Sequence, residues 1–183
     1  MAVLNETLVF IHQPAGVQAA FVGKSARRTL LLAGMELYKF TGYDVVPTRA
    51  GSNYSPWWAA IQPLPDTEDP GLDGHIAAAQ AAGVSMMEYA RETFAVMLGW
   101  NSLSIPQLGM ARVVRIRLTQ PVYAFGGLCQ RMRETVNPKR VIGKVNPRKS
   151  PLNPPTFMGG AYQLYIPNLT AAHVQSTGMN LIP

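Results

Sequence analysis

Hydrophobic residues recur along this chain with two different periods. Between residues 73 and 98 the period is helical. Asp73 is placed to cap a helix over 75–82, an alanine-rich run closed by Gly83. Ser85 and Glu88 make a capping-box pattern at the start of a second helix. That helix is predicted from Met86 to about Leu98, with Met87, Ala90, Phe94, Met97 and Leu98 on one core-facing stripe. Elsewhere the apolar runs are short or alternate. Residues 112–119 put Val114, Ile116 and Leu118 on one face and Arg115 and Arg117 on the other, as a half-buried strand does.

Further strands are expected at 7–12, 35–40 and 122–125, the last broken by Gly126–Gly127, and 30–32 is a further short apolar run. In 161–166, Gln163 and Tyr165 should lie opposite Tyr162, Leu164 and Ile166. Residues 42–65 read as mostly irregular because Pro47, Gly51, Pro56, Pro63 and Pro65 interrupt any regular element. An acidic turn follows at 66–74. Residues 131–155 read as one or two long loops with a short strand at 141–145, and 169–174 as a helical turn. A strand, a long loop, two helices and then further strands make an α+β pattern. The expected architecture is mixed or antiparallel β-sheets forming a split sandwich, with two or three helices packed on one side.

Length and composition narrow the class. The 183 residues, 48% of them hydrophobic, suit one folded domain over 1–183. Residues 1–34 are expected to be an N-terminal extension packing on that domain, and 131–156 a basic, proline-rich loop region. No apolar run approaches the ~18 residues that span a bilayer. The first Lys is Lys24, so a conventional secretory signal is not expected. Cys129 stands alone, which excludes an internal disulfide and a cysteine-based metal site and fits a reducing cytosol.

The net charge of +6 is unevenly spread. Residues 112–149 hold ten Arg and Lys against Glu134 alone, a local +9, and the rest of the chain carries −3. Such separation points to an anionic partner such as phosphate or nucleic acid, or simply to a solvated basic surface.

Catalytic signatures are sparse. His12, His75 and His173 lie far apart and form no H-x-x-x-H or H-E-x-x-H spacing, so no metal site is expected. No phosphate-binding glycine loop or nucleophile elbow occurs. Ser85 is explained as a helix cap, and the acids at 66–73 as solvated turn residues. A binding constellation remains. Arg49, Ser52 and Ser55 precede the pair Trp57–Trp58, a basic β face lies at Arg115 and Arg117, and Gln163 follows the double glycine Gly159–Gly160. Aromatic faces stack on planar rings, arginines pair with phosphates, and glycines admit close backbone approach. These parts suit a nucleotide with a base and a pyrophosphate. The tryptophans can equally plug the core beneath a long loop.

The succession of MELYKF (35–40), YSPWW (54–58), FAVMLGWNS (94–102) and GGAYQLYIPNL (159–169) resembles ADP-ribosyltransferase-type toxin domains of bacterial competition systems. The resemblance implies that the chain uses NAD as substrate and passes ADP-ribose to a protein or nucleic-acid acceptor. It further implies that Lys39 or Arg49 meets NAD phosphate or ribose and that Ser55 braces the site. A tryptophan of the pair, with Tyr54 beside it, flanks the nicotinamide, and Gln163 takes the late polar position. An immunity protein is the implied partner, and export without a classical signal peptide into a target cytosol the implied route. Two departures stand out. The early basic residue is Lys39 where Arg is usual, and the late strand has no Glu. Alternative readings are a nucleic-acid-binding or nuclease-type toxin using 112–149, and a non-catalytic interaction protein anchored by the tryptophans.

Overall fold

The computed structural model describes residues 2–41, 54–95, 112–133 and 156–181. Its strands, in chain order, are β1 (Arg27–Leu31), β2 (Glu36–Thr41), β3 (Trp57–Ala60), β4 (Arg112–Leu118) and β5 (Val122–Leu128). After them come β6 (Met132–Arg133), β7 (Thr156–Phe157), β8 (Tyr162–Tyr165) and β9 (Val174–Leu181). The helices are α1 (Ala15–Gln18), α2 (Gly71–Ala82) and α3 (Met86–Thr93). Seven strands form one sheet in the order β1-β5-β8-β3-β2-β4-β9, every neighbouring pair antiparallel, and β6 pairs with β7 separately. The class is α+β, a split sandwich with helices on one side.

Alternation along the strands explains the layers. Leu37, Trp58, Ala60, Val114, Ile116, Leu118, Val122, Ala124, Leu164 and Ile166 enter one cluster, so the sheet curls around a single core. Their neighbours Tyr38, Phe40, Ala59 and Val113 face the other way, onto Leu72 and Ala79 of α2 and Met86 and Ala90 of α3. Trp57, Phe125 and Tyr165 share that second face and are covered by Leu8, Phe10, Val17 and Phe21 of the N-terminal segment.

Several expectations hold in detail. The capping box forms as read: Ser85 Oγ accepts from the Glu88 backbone N–H at 3.2 Å and Glu88 returns a bond to the Ser85 N–H at 3.1 Å. Gly83 closes α2 with φ +67°, a left-handed position glycine takes without strain. In β8 Leu164 is buried opposite Gln163, as the alternation requires.

Others are corrected. Residues 7–12 form no strand; Phe10–His12 is a short 3-10 turn, because Leu8 and Phe10 pack downward onto the second face. The helix expected at 75–82 begins at Gly71, and Asp69 rather than Asp73 serves its start, its Oδ1 accepting from the Gly71 N–H at 3.3 Å. The break expected at Gly126–Gly127 does not occur. β5 runs through both glycines because a Cβ on Gly126 would collide with the Tyr162 ring and one on Gly127 would meet Phe21 at 2.9 Å. Four strands were not expected: β3 inside the proline-rich 42–65, the two-residue β6 and β7, and β9 at the end of the described chain. The expected strand at 141–145, the stripe residues Met97 and Leu98, and most of the basic 131–156 region lie outside the described residues.

Candidate functional site

A split in the sheet at β3 creates the site. Antiparallel pairing of β2 with β3 covers Leu37↔Ala60 and Tyr38↔Ala59 and stops there. Continuing the register would set Lys39 opposite Trp58 and Phe40 opposite Trp57. Instead the first half of β3 turns to β8, pairing Trp57↔Tyr165 and Trp58↔Leu164. A short strand shared by two diverging neighbours leaves a wedge between them, with backbone groups of Phe40 and Trp57 lacking a strand partner across it.

A cavity of about 560 Å³ occupies this wedge, within the range of small-molecule sites. One wall is Tyr38, Lys39 and Phe40 of β2, and the opposite wall is Trp57, Trp58 and Ala59 of β3. Gln163 of β8 lines it as well. The N-terminal segment closes one side with Pro14, Gly16, Val17 and Ala20. Phe94 and Ala95 after α3, and Gln130 and Met132 after β5, complete the lining.

The residues singled out from sequence divide by place. Lys39, Trp57, Trp58 and Gln163 all line the cavity. Lys39 has no ion-pair partner among the described residues, and burial lowers its ammonium pKa to about 8. Trp57 is half-buried, its ring centroid 4.8 Å from Tyr165 and 5.8 Å from Phe21. Trp58 is buried, and its indole N–H donates to the Ser55 carbonyl at 2.6 Å. Tyr54 is buried against Trp58 in the main core, with centroids 6.5 Å apart. Ser55 stands behind the pair: its carbonyl holds Trp58, and its Oγ accepts from the Trp57 backbone N–H at 3.5 Å. Neither Tyr54 nor Ser55 lines the cavity. Gln163 is half-buried and its Nε2 donates to the Ala20 carbonyl at 3.2 Å. Arg49 and Ser52 lie outside the described residues.

A second polar group sits beside the cavity, in the helical layer. His75 is buried; its Nε2 lies 3.2 Å from Asp69 Oδ1 and its Nδ1 3.3 Å from the Tyr89 hydroxyl. Among the described residues, neither the hydroxyl of the fully buried Tyr38 nor Asp69 Oδ2 has a hydrogen-bond partner. Burial first, and then the nearby Asp69, push the Tyr38 phenol above its ordinary range. The same two causes, in the same order, push the buried Cys129 thiol up, which leaves it unsuited to act as a nucleophile. On β4, Arg117 is exposed and pairs with Glu36 at 2.7 Å across the β2 ladder.

Sequence reasoning missed the N-terminal wall, the aromatic pair Phe40–Phe94, and the Asp69–His75–Tyr89 group. The first has no local signal, since Pro14–Ala20 meets β8 only through the tertiary fold. The last had one: a histidine four residues into an alanine-rich helix, with an acid six residues earlier.

No protein-family model matches the chain, and no curated protein matches it. Among solved structures it aligns with one described as "Structure of Tne2 in complex with Tni2", at 11% identity and a TM-score of 0.42, over 87% of this chain and 93% of that chain.

Proposed function

We propose that the cavity binds NAD and that the chain is an ADP-ribosyltransferase-like toxin or effector. The carrying observation is the convergence of Lys39, Trp57 and Gln163, from three separate strands, on one cavity at the split of the sheet. Each supplies a different chemistry. The indole face of Trp57 offers stacking area for a planar ring such as nicotinamide. Lys39, lacking a carboxylate partner among the described residues, offers a cation for the pyrophosphate or ribose. The Gln163 carboxamide can hold a ribose hydroxyl and fix the sugar as positive charge develops at its anomeric carbon. Ser55 and Tyr54 brace the tryptophan pair from behind.

In the proposed reaction the bond from nicotinamide nitrogen to the ribose anomeric carbon breaks, and nicotinamide leaves with the bonding pair. An acceptor oxygen or nitrogen of a protein or nucleic acid then bonds that carbon and releases its proton to solvent. Water in the acceptor's place gives free ADP-ribose. An immunity protein that obstructs the cavity belongs to the same reading.

The test is incubation of the protein with labelled NAD and cell lysate, followed by asking which macromolecule acquires label. Gln163→Ala is expected to abolish NAD turnover without unfolding the chain; full activity in that variant removes Gln163 from the site. Binding of RNA or DNA that weakens steeply with salt, with no response to NAD, would instead favour a nucleic-acid-binding or nuclease-type toxin.

A further inference from the structure

The Gln163–Ala20 contact settles the orientation of the Gln163 carboxamide. The Ala20 oxygen is a backbone carbonyl and can only accept, so the atom facing it at 3.2 Å must be the NH2 nitrogen. The acceptor Oε1 therefore occupies the other branch of the amide. It has no hydrogen-bond partner among the described residues, and Gln163 itself is half-buried at the cavity. The Ala20 carbonyl itself is fixed, because it also accepts from the Gln130 N–H at 2.8 Å. The next residue, Phe21, is fully buried and bridges to Cys129. A backbone carbonyl of the N-terminal segment thus holds one end of a cavity-lining side chain and leaves the other end without a partner among the described residues.

We infer that the Ala20 carbonyl is a positioning group that commits Gln163 to present its amide oxygen, an acceptor, to a ligand hydroxyl. The inference rests on the NAD reading for the identity of that hydroxyl, a ribose one, but its structural half stands independently. It also accounts for an amide on this strand at the position where the resemblance to ADP-ribosyltransferase-type toxin domains implies a Glu or, in divergent members, a Gln. An ionised Glu at 163 sets oxygen against oxygen at Ala20, with no proton between them, whereas Gln fills both roles with one group.

The experiment compares wild type, Gln163→Leu and Gln163→Glu by thermal unfolding and by calorimetric titration with ADP-ribose. Lys39 and Tyr38 are the titratable groups lining the same cavity. The series is therefore repeated in a Lys39→Met background, so that attraction between Lys39 and a new carboxylate does not mask the result. Near pH 7.5 both variants are expected to melt about 2–4 °C below wild type. As the pH falls toward ~4 the new Glu takes up a proton and can donate to Ala20, so Gln163→Glu recovers toward wild type and Gln163→Leu does not. ADP-ribose affinity is expected to fall at least about tenfold in Gln163→Leu, which lacks the acceptor, and also to fall in Gln163→Glu at pH 7.5. A Gln163→Glu protein with wild-type stability at pH 7.5, or with NAD turnover above wild type, overturns the inference. If wild type binds no ADP-ribose, the NAD reading fails, and the pH dependence of melting still decides the positioning role of Ala20.

Discussion

Trp57 and Trp58 are adjacent in the chain and chemically identical, yet the strand that carries them sends them into different worlds. Trp58 enters the main core, buried, with its only polar atom tied to the Ser55 carbonyl. Trp57 faces the N-terminal segment and is half-buried; both indoles line the cavity, which also holds an amide and a lysine without an ion-pair partner among the described residues, but only Trp57 stands outside the main core. A period of two makes this division automatic once the segment is a strand.

The comparison breaks most sharply under truncation of each indole. Trp58→Ala removes a large ring from a packed cluster and leaves a cavity, so an unfolding free energy lower by about 3–5 kcal/mol is expected in urea titration. Trp57→Ala is expected to cost less stability, about 1–3 kcal/mol, since part of the ring already meets solvent. Its larger effect should be on ligand: about tenfold or more weaker ADP-ribose or NAD binding by calorimetry. Equal stability losses with unchanged ligand affinity would make both tryptophans core residues.

Lys39 sharpens the same contrast through pH. Burial holds its pKa at about 8 against a reference of 10.5. Between these values the unfolded chain keeps a proton that the folded chain has released, so stability rises as pH climbs from about 8 to 10.5. Below about 8 both states are protonated and the folded state carries the full cost of a desolvated ammonium. Lys39→Met is therefore expected to melt higher than wild type near pH 7 and to lose the alkaline rise. Affinity for an anionic ligand runs the other way, strongest below about pH 8 and declining above it as the charge is lost. A variant that melts lower and binds ADP-ribose as tightly as wild type would take Lys39 out of the site.

How much of this was legible in the sequence depended on the range of the interactions involved. The Ser85 capping box, the alternation of β4 and the two faces of β8 are set within a few residues, and the sequence carries them openly. β3 was hidden because Pro56 and Pro63 flank a four-residue strand whose partners, β8 and β2, lie far away in the chain. Gly126 and Gly127 misled for a related reason: they accommodate Tyr162 and Phe21, residues some 36 and 106 positions away. For the site, Lys39, Trp57 and Gln163 were recognisable as chemical types. The wall from Pro14 to Ala20 was not, because its contribution is a backbone carbonyl and an apolar surface that any residues could supply.

Ser55 gives the smallest expected effect and the finest test of the comparison. It braces the tryptophan pair chiefly with its backbone: the bond to the Trp58 indole uses the Ser55 carbonyl, which any residue retains. The hydroxyl contributes only a 3.5 Å contact to the Trp57 N–H, at the long limit of hydrogen-bond geometry. Ser55→Ala should therefore change unfolding free energy by no more than about 0.5–1 kcal/mol. Its kcat/KM for NAD should stay within about threefold of wild type, equivalent to ~0.7 kcal/mol. A loss of a hundredfold or more at unchanged Tm would mean that the hydroxyl turns into the cavity when ligand is bound. The boundary between core and site would then run through Ser55 rather than between the two indoles.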